Sequence, residues 1–413
     1  MKADLVVTRA SQVVTCDPAL GDGPLGVIER GAVAGFEGRV VWAGPERDLR
    51  TADVASDAHE VDAAGGAVIP GLVEPHTHLV FAGDRSQEFA DRLRGKPYAP
   101  GGVKTTVAAT RAASDDELRG HARARLDRFM AHGVTTVESK SGYGLTPHQE
   151  RRLLQVAAAV DHPVEVVRTF MGAHVVPEDY APNPNAYVDL IVDGMIPSLG
   201  NLAEFCDVWC EEGAFSQAQT RRILGAAHRE GLGIKIHAEQ LAHSGGASIA
   251  GEFGAVSAEH LEHATEEDAS ALARTKTVAV LIPGASMMTG APFAPARMLI
   301  ESGVRVALST DLNPGTSYSE NLQLVVALAC AHLKMTPEEA ILGVTRHAAA
   351  ALSRQGKVGS LAPGARADLV VLDAPSYVDL AYHYGVNLAR VVLTGRAPRI
   401  ERERTGASGE LPA

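Results

Sequence analysis

Residues 67–78 read Ala67-Val68-Ile69-Pro70-Gly71-Leu72-Val73-Glu74-Pro75-His76-Thr77-His78. An apolar run rich in β-branched residues stops at two histidines one residue apart. On an extended segment, residues i and i+2 point to the same side, so both imidazoles can reach one ion. The same arrangement, an apolar run that ends in metal-binding side chains, recurs at Lys235-Ile236-His237, Glu259-His260 and Ser309-Thr310-Asp311. Eight such runs can be counted: Ala67–Val73, Val134–Glu138, Val164–Phe170, Asp207–Glu211, Gly233–His237, Ala255–Glu259, Val278–Ile282 and Val304–Ser309. Helical patterns separate them, the clearest being Ser114–His132, Pro147–Val160, Ser216–Glu230 and Ser319–Leu333. Near-continuous apolar strands alternating with helices imply a parallel sheet covered by helices. Eight repeats imply an α/β fold of the closed (β/α)8 kind, a TIM barrel, with its active site at the C-terminal ends of the strands.

On either side of the barrel the pattern is β. Leu5–Thr15 and Ala32–Trp42 contain strand-like runs, and Glu37-Gly38 marks a hairpin turn between Val33–Phe36 and Arg39–Trp42. Strand patterns return after about residue 355, in Gly364–Asp373 and Ala389–Thr394. These are expected to join the N-terminal strands in a small β-sandwich. The expected organisation is therefore residues 1–66 and 356–400 in the small β domain, 67–355 in the barrel, and 401–413 as a frayed tail. Residues 79–110 read as a long, Gly-rich loop.

Composition narrows the function classes. The chain has 413 residues, 46% of them hydrophobic, enough for a large core. A net charge of −12 argues against a nucleic-acid surface, though not against an anionic substrate in a pocket of opposite sign. No apolar run approaches the roughly 18 residues needed to span a membrane. The opening Met-Lys-Ala-Asp leads directly into an alternating strand pattern with no secretory signal, so a cytoplasmic location is expected. Cys16, Cys206, Cys210 and Cys330 are scattered and read as buried free thiols in a reducing compartment.

Three imidazoles (His76, His78, His237) and one carboxylate (Asp311) make a ligand set for one metal with a position left for water. A metal so held turns water into a nucleophile at neutral pH, which points to a hydrolase. The alternatives at these positions are polar loop or core histidines and, for Asp311, a helix N-cap.

This pattern resembles the amidohydrolase superfamily, whose members pair a metal-bearing barrel with a small β domain. Some members bridge two metals with a modified lysine at the end of strand four. Here that strand ends Trp209-Cys210-Glu211-Glu212, which favours one metal. The likeness sharpens in five segments: Pro70-Gly-Leu-Val-Glu-Pro-His-Thr-His-Leu-Val-Phe-Ala-Gly-Asp-Arg85, Lys140-Ser-Gly-Tyr-Gly-Leu145, Phe170-Met-Gly-Ala-His174, Ser309-Thr-Asp-Leu-Asn-Pro-Gly315 and Tyr382-His-Tyr-Gly-Val-Asn387. Together they resemble the imidazolonepropionase family, over about residues 65–390.

The resemblance implies hydrolytic ring opening of 4-imidazolone-5-propanoate to N-formimidoyl-L-glutamate in histidine degradation. It implies one divalent or trivalent transition metal per chain, zinc or iron, with manganese also compatible with such ligands. His76, His78, His237 and Asp311 match the family's metal ligands. Arg85 matches a substrate-binding arginine, whose guanidinium fork suits a propionate. Tyr143, His174, Asn313, Gly315 and Thr316 match positions that contact substrate or product. Many deaminases of the superfamily carry a proton-shuttling glutamate in H-x-x-E after strand five. Here the segment is His237-Ala238-Glu239-Gln240, and an amide has no useful basicity. Gln240 is therefore expected to bind substrate, Asp311 to transfer protons, and His260 to stabilise charge or act as a second base. His243 and His263 match no motif. The partner implied is a small molecule, without nucleic acid or membrane, and a homodimer is the default assembly. The rival readings are another mononuclear amidohydrolase that deaminates a cyclic nitrogen heterocycle, and a non-enzymatic barrel that has lost its metal.

Overall fold

The computed structural model describes residues 2–95 and 102–396. The strands of its first part are β1 (Ala3–Thr8), β2 (Gln12–Val14), β3 (Val27–Glu29), β4 (Gly31–Phe36), β5 (Arg39–Pro45), β6 (Val54–Asp62) and β7 (Val68–Pro70). The barrel follows: β8 (Leu72–Glu74), β9 (Val134–Lys140), β10 (Glu165–Ala173), β11 (Phe205–Cys210), β12 (Gly233–Ala238), β13 (Ser257–His260), β14 (Val278–Leu281) and β15 (Val306–Leu308). The last strands are β16 (Leu369–Leu372) and β17 (Ala389–Leu393).

Strands β8 to β15 form one eight-stranded sheet in sequence order, each strand parallel to the next. The seam between β15 and β8 is closed by side chain and loop. Glu74 accepts from Ser309 Oγ and from Thr310 N at 3.0 Å, and just beyond the strands Thr77 bridges Leu312 in parallel. The helices on the outside start where the sequence places caps. Ser114 and Ser216 each form a capping box with the residue three positions on, Glu117 and Gln219, opening Asp115–Ala131 and Gln217–Arg229.

The small sheets pack as a sandwich. One has the order β5-β4-β1-β6; the other, β17-β16-β7-β2-β3, unites both ends of the chain. A shared core holds Leu5, Val7 and Val33 of the first against Val13, Val68, Leu369 and Val391 of the second. The hairpin at Glu37-Gly38 is present, with φ of 48° and 74° at the two turn residues.

Two expectations need correction. The run Ala67–Val73 is not one barrel strand. It divides at Gly71: Val68–Pro70 joins the small sheet and only Leu72–Glu74 enters the barrel. Apolar periodicity cannot separate two buried strands joined end to end. Residues 79–110 are not a loop throughout, because Ser86–Leu93 and Val103–Ala112 are helices. The glycines around residues 95–102 hid the helices on either side. The expected tail 401–413 lies outside the described residues.

The crossing at Gly71 leaves no room for a side chain. A Cβ there would lie 2.4 Å from Thr135 Oγ1 and 2.9 Å from Asp368 Cβ. Gly71→Ala should destabilise the protein by about 1–3 kcal/mol, since neither neighbour is the far end of a flexible chain. The check is a lower urea midpoint by circular dichroism.

Candidate active site

The candidate ligands gather at the C-terminal mouth of the barrel. His76 and His78 follow β8, His237 lies within β12, His260 ends β13 and Asp311 follows β15. His76, His78 and Asp311 offer donor atoms within 4.8 Å of one another, and so do His76, His237 and His260. The two triads meet at His76, whose Nε2 is 3.3 Å from Asp311 Oδ1. Their union is the four residues read as ligands plus His260. The backbone turns sharply here: Glu239, His260 and Asp311 have φ of 54°, 76° and 50°. Non-glycine residues in that region cost on the order of 1–3 kcal/mol each and cluster where function holds them.

Three imidazoles are addressed through Nδ1. His237 Nδ1 lies 3.0 Å from Asp207, His76 Nδ1 lies 2.7 Å from Glu259, and His78 Nδ1 lies 3.4 Å from the Ser141 carbonyl. With Nδ1 so engaged, Nε2 is left to bind a cation. Both ring nitrogens of His76 are buried without an aligned hydrogen bond: Nδ1 lies against Glu259, and Nε2 stands 3.3 Å from Asp311, the other candidate ligand. The donor set of imidazole and carboxylate thus suits one transition metal ion.

Beneath these rings lies a charge network that the sequence reading missed. Lys140 Nζ is 2.7 Å from Asp207, 2.9 Å from Glu138 and 2.8 Å from Glu259. Lys235 Nζ is 2.5 Å from Glu138 and 3.0 Å from Glu259. All five side chains are fully buried. The signal was present: Glu138 and Lys140, and Lys235 and His237, are spaced by two in strands whose other residues are buried too, so both members of each pair face the barrel axis.

Charge follows from this packing. Burial opposes protonation of Lys140, but Asp207, Glu138 and Glu259 hold its pKa well above the ordinary value. Burial pushes Glu259 up, and Lys140, Lys235 and His76 outweigh it and hold the carboxylate ionised. Burial, then the neighbouring imidazoles, keep His78 neutral; burial, His76 and Lys140 do the same for His237. Asp311 is pushed up by burial but brought below its usual value by His76, His260 and His237.

A small cavity of about 30 Å³ opens beside the imidazoles, lined by His78, Arg85, Tyr143, His174, Gln240 and Thr316, among others. His174 stacks on His78 with ring centroids 4.9 Å apart, and the Tyr143 ring lies 5.2 Å from His78. Trp209 also lines it and was not anticipated; its indole N–H is buried with no hydrogen-bond partner among the described residues. Gln240 faces the cavity, while Glu239 is turned away. The Glu239 carboxylate accepts from the backbone N–H groups of Ser244 at 2.5 Å and Ala247 at 3.0 Å, at the start of helix Gly246–Phe253. His243, half-exposed at this corner, pairs with Asp268 at 3.0 Å, away from the cavity.

Two of the residues read as substrate contacts also shape the loop: Asn313, which lines the cavity, and Gly315. The Asn313 amide oxygen accepts from Gly315 N at 2.8 Å and Thr316 N at 2.9 Å, and its amide nitrogen donates to Asp311 O at 2.7 Å. Its side chain therefore builds the turn. Gly315 backs the Arg85 guanidinium, since a Cβ there would lie 2.3 Å from Nη1. Arg85 borders the cavity, but one edge of its fork is already taken: Nε donates to Glu88 Oε2 at 2.8 Å and Nη2 to Glu88 Oε1 at 2.7 Å.

Comparison with known proteins agrees with this geometry. The amidohydrolase family pattern matches residues 67–397. An imidazolonepropionase of Salinispora arenicola is 46% identical over 96% of this chain and 99% of its own length. One of Streptomyces griseus is 48% identical over 94% and 97%. Among solved structures, an atrazine chlorohydrolase of Arthrobacter aurescens complexed with zinc superposes with a TM-score of 0.74 at 16% identity, covering 97% of this chain and 96% of that one. An adenosine deaminase of Xanthomonas campestris with bound zinc gives 0.71 at 18%, covering 97% and 94%. Barrel, mouth and sequence thus agree: the chain belongs to the imidazolonepropionase family of the amidohydrolases.

Proposed function

We propose that this site opens the ring of 4-imidazolone-5-propanoate by hydrolysis, giving N-formimidoyl-L-glutamate, with one divalent metal ion held by His76, His78, His237 and Asp311. The observation that carries the reading is the convergence of those side chains beside a cavity with Arg85 on its wall. A cation bound there supplies Lewis acidity and brings water toward ionisation near neutral pH. Zinc or iron is the ion of choice for these ligands.

The chain's own groups divide the remaining work. Arg85 binds the propionate, and Tyr143, His174 and Thr316 hold the ring. Gln240 hydrogen-bonds the ring without taking its proton. Asp311 accepts the proton of the attacking water, whose oxygen bonds to the ring carbonyl carbon. His260 stabilises the charge that develops on the carbonyl oxygen. The bond from that carbon to its ring nitrogen then breaks, and the proton held by Asp311 passes to the nitrogen. This reading includes a homodimer in the cytoplasm, the first part of which light scattering tests. Among the described residues no helix is long and apolar enough to cross a membrane.

The direct test is turnover of freshly generated imidazolonepropionate followed in the ultraviolet, with elemental analysis of the same sample. One metal ion per chain is expected; a reproducible two would overturn the mononuclear reading. His76→Ala should lose most of the metal and nearly all activity, because it belongs to both triads.

Proton transfer is tested by measuring metal content beside kcat. His260→Ala should keep the ion and lose roughly 10²–10³-fold in kcat. Gln240→Ala should chiefly raise KM, and Glu239→Gln should leave kcat near the wild-type value. A Glu239→Gln variant that kept its metal but lost its activity would identify Glu239 as the shuttle.

Arg85→Ala should retain metal and lose at least about tenfold in kcat/KM, the lower end of a charge-assisted bond's roughly 1.5–3 kcal/mol. A change within about threefold would remove the clamp from the mechanism.

A further inference from the structure

The Arg85 guanidinium is gripped by a carboxylate for which the reaction has no other use. Arg85 immediately precedes the helix Ser86–Leu93, and Glu88 lies in its first turn. Their two hydrogen bonds, 2.8 Å from Nε and 2.7 Å from Nη2, form a side-on pair that fixes the plane of the guanidinium. Two glycines confine it further. A Cβ on Gly102 would lie 2.2 Å from both Arg85 Nη2 and Glu88 Oε2, and one on Gly315 would lie 2.3 Å from Arg85 Nη1. Arg92, on the same helix, donates to the Gly315 carbonyl at 2.8 Å and lies 3.9 Å from Glu88. The helix is thereby tied to the loop that carries Asp311 and Thr316.

Arg85 borders the cavity and Glu88 does not. The carboxylate thus stands behind the guanidinium rather than in the place of a substrate. The Arg85 side chain is 3% exposed, and that of Glu88 is 30% exposed. We infer that Glu88 is a positioning residue for substrate binding: by holding the Nε–Nη2 edge it fixes the plane in which the Arg85 guanidinium meets the substrate carboxylate. The inference rests on the reading of Arg85 as the propionate clamp. An arginine aimed in advance loses less freedom when the substrate arrives, so the effect belongs in KM.

The test is a double-mutant cycle of Arg85→Ala and Glu88→Ala, with metal content measured for every variant. Each is assayed on imidazolonepropionate and on the analogue whose propionate is replaced by the neutral propionamide. Glu88→Ala should raise KM for the carboxylate substrate about tenfold, with kcat and metal near wild type, and barely affect the amide. Glu88→Gln, which keeps one acceptor in place, should recover part of the loss. In the Arg85→Ala background, Glu88→Ala should cost nothing further. An unchanged or lower KM in Glu88→Ala would overturn the inference, as would equal losses on both substrates. If Arg85→Ala itself left the carboxylate substrate unaffected, the clamp reading would fail, and Glu88 with it. A loss in Arg85→Ala without one in Glu88→Ala would overturn the positioning role alone.

Discussion

Two ammonium groups and three carboxylates, sealed inside the barrel under the histidines, constrain everything above them. Taking a charge out of water costs several kcal/mol even after relaxation, so each must find partners at contact distance. Lys140 does so with Glu138, Asp207 and Glu259 at once. Because Asp207 and Glu259 also reach His237 and His76, the ion network and the imidazoles form one rigid unit. Moving a lysine would leave buried carboxylates unpaired and release the rings that they orient.

The same economy of polar groups closes the barrel. Glu74 at the end of β8 accepts from Ser309 and Thr310 across the seam, and burial pushes its pKa up to about 7. One residue thus joins the first and last barrel strands next to His76, which donates its backbone N–H to Glu74 at 3.1 Å. The seam and the ligand arm are set by a single carboxylate, so barrel closure and site geometry are not separable. The left-handed residues His260 and Asp311 lie on this rim, held there by packing on every side.

Much of the cavity lining comes from loops beyond the strands. Arg85, Tyr143, Gln240 and Thr316 come from four different βα connections, and three of them depend on a local device. Asn313 folds the loop of Thr316, the Gly142–Leu145 loop is pinned by three of its N–H groups on the Glu150 carboxylate, and Glu88 holds Arg85. The strands supply a rigid rim; the loops decide what enters.

The sequence alone determined the eight strand–helix repeats, the capped helices, the Glu37-Gly38 hairpin and the ends of the strands where imidazoles collect. These follow from short-range periodicity, capping and turn chemistry, which a linear chain displays. Only the tertiary structure decided that Val68–Pro70 belongs to a different sheet from Leu72–Glu74, that Glu239 caps a helix while Gln240 meets the cavity, and that Glu88 engages Arg85. Each of these depends on which of two neighbouring side chains faces inward, or on partners from separate elements. The buried network is the clearest instance, because Glu138, Lys140, Asp207, Lys235 and Glu259 come from four strands and became mutual partners only when the barrel closed.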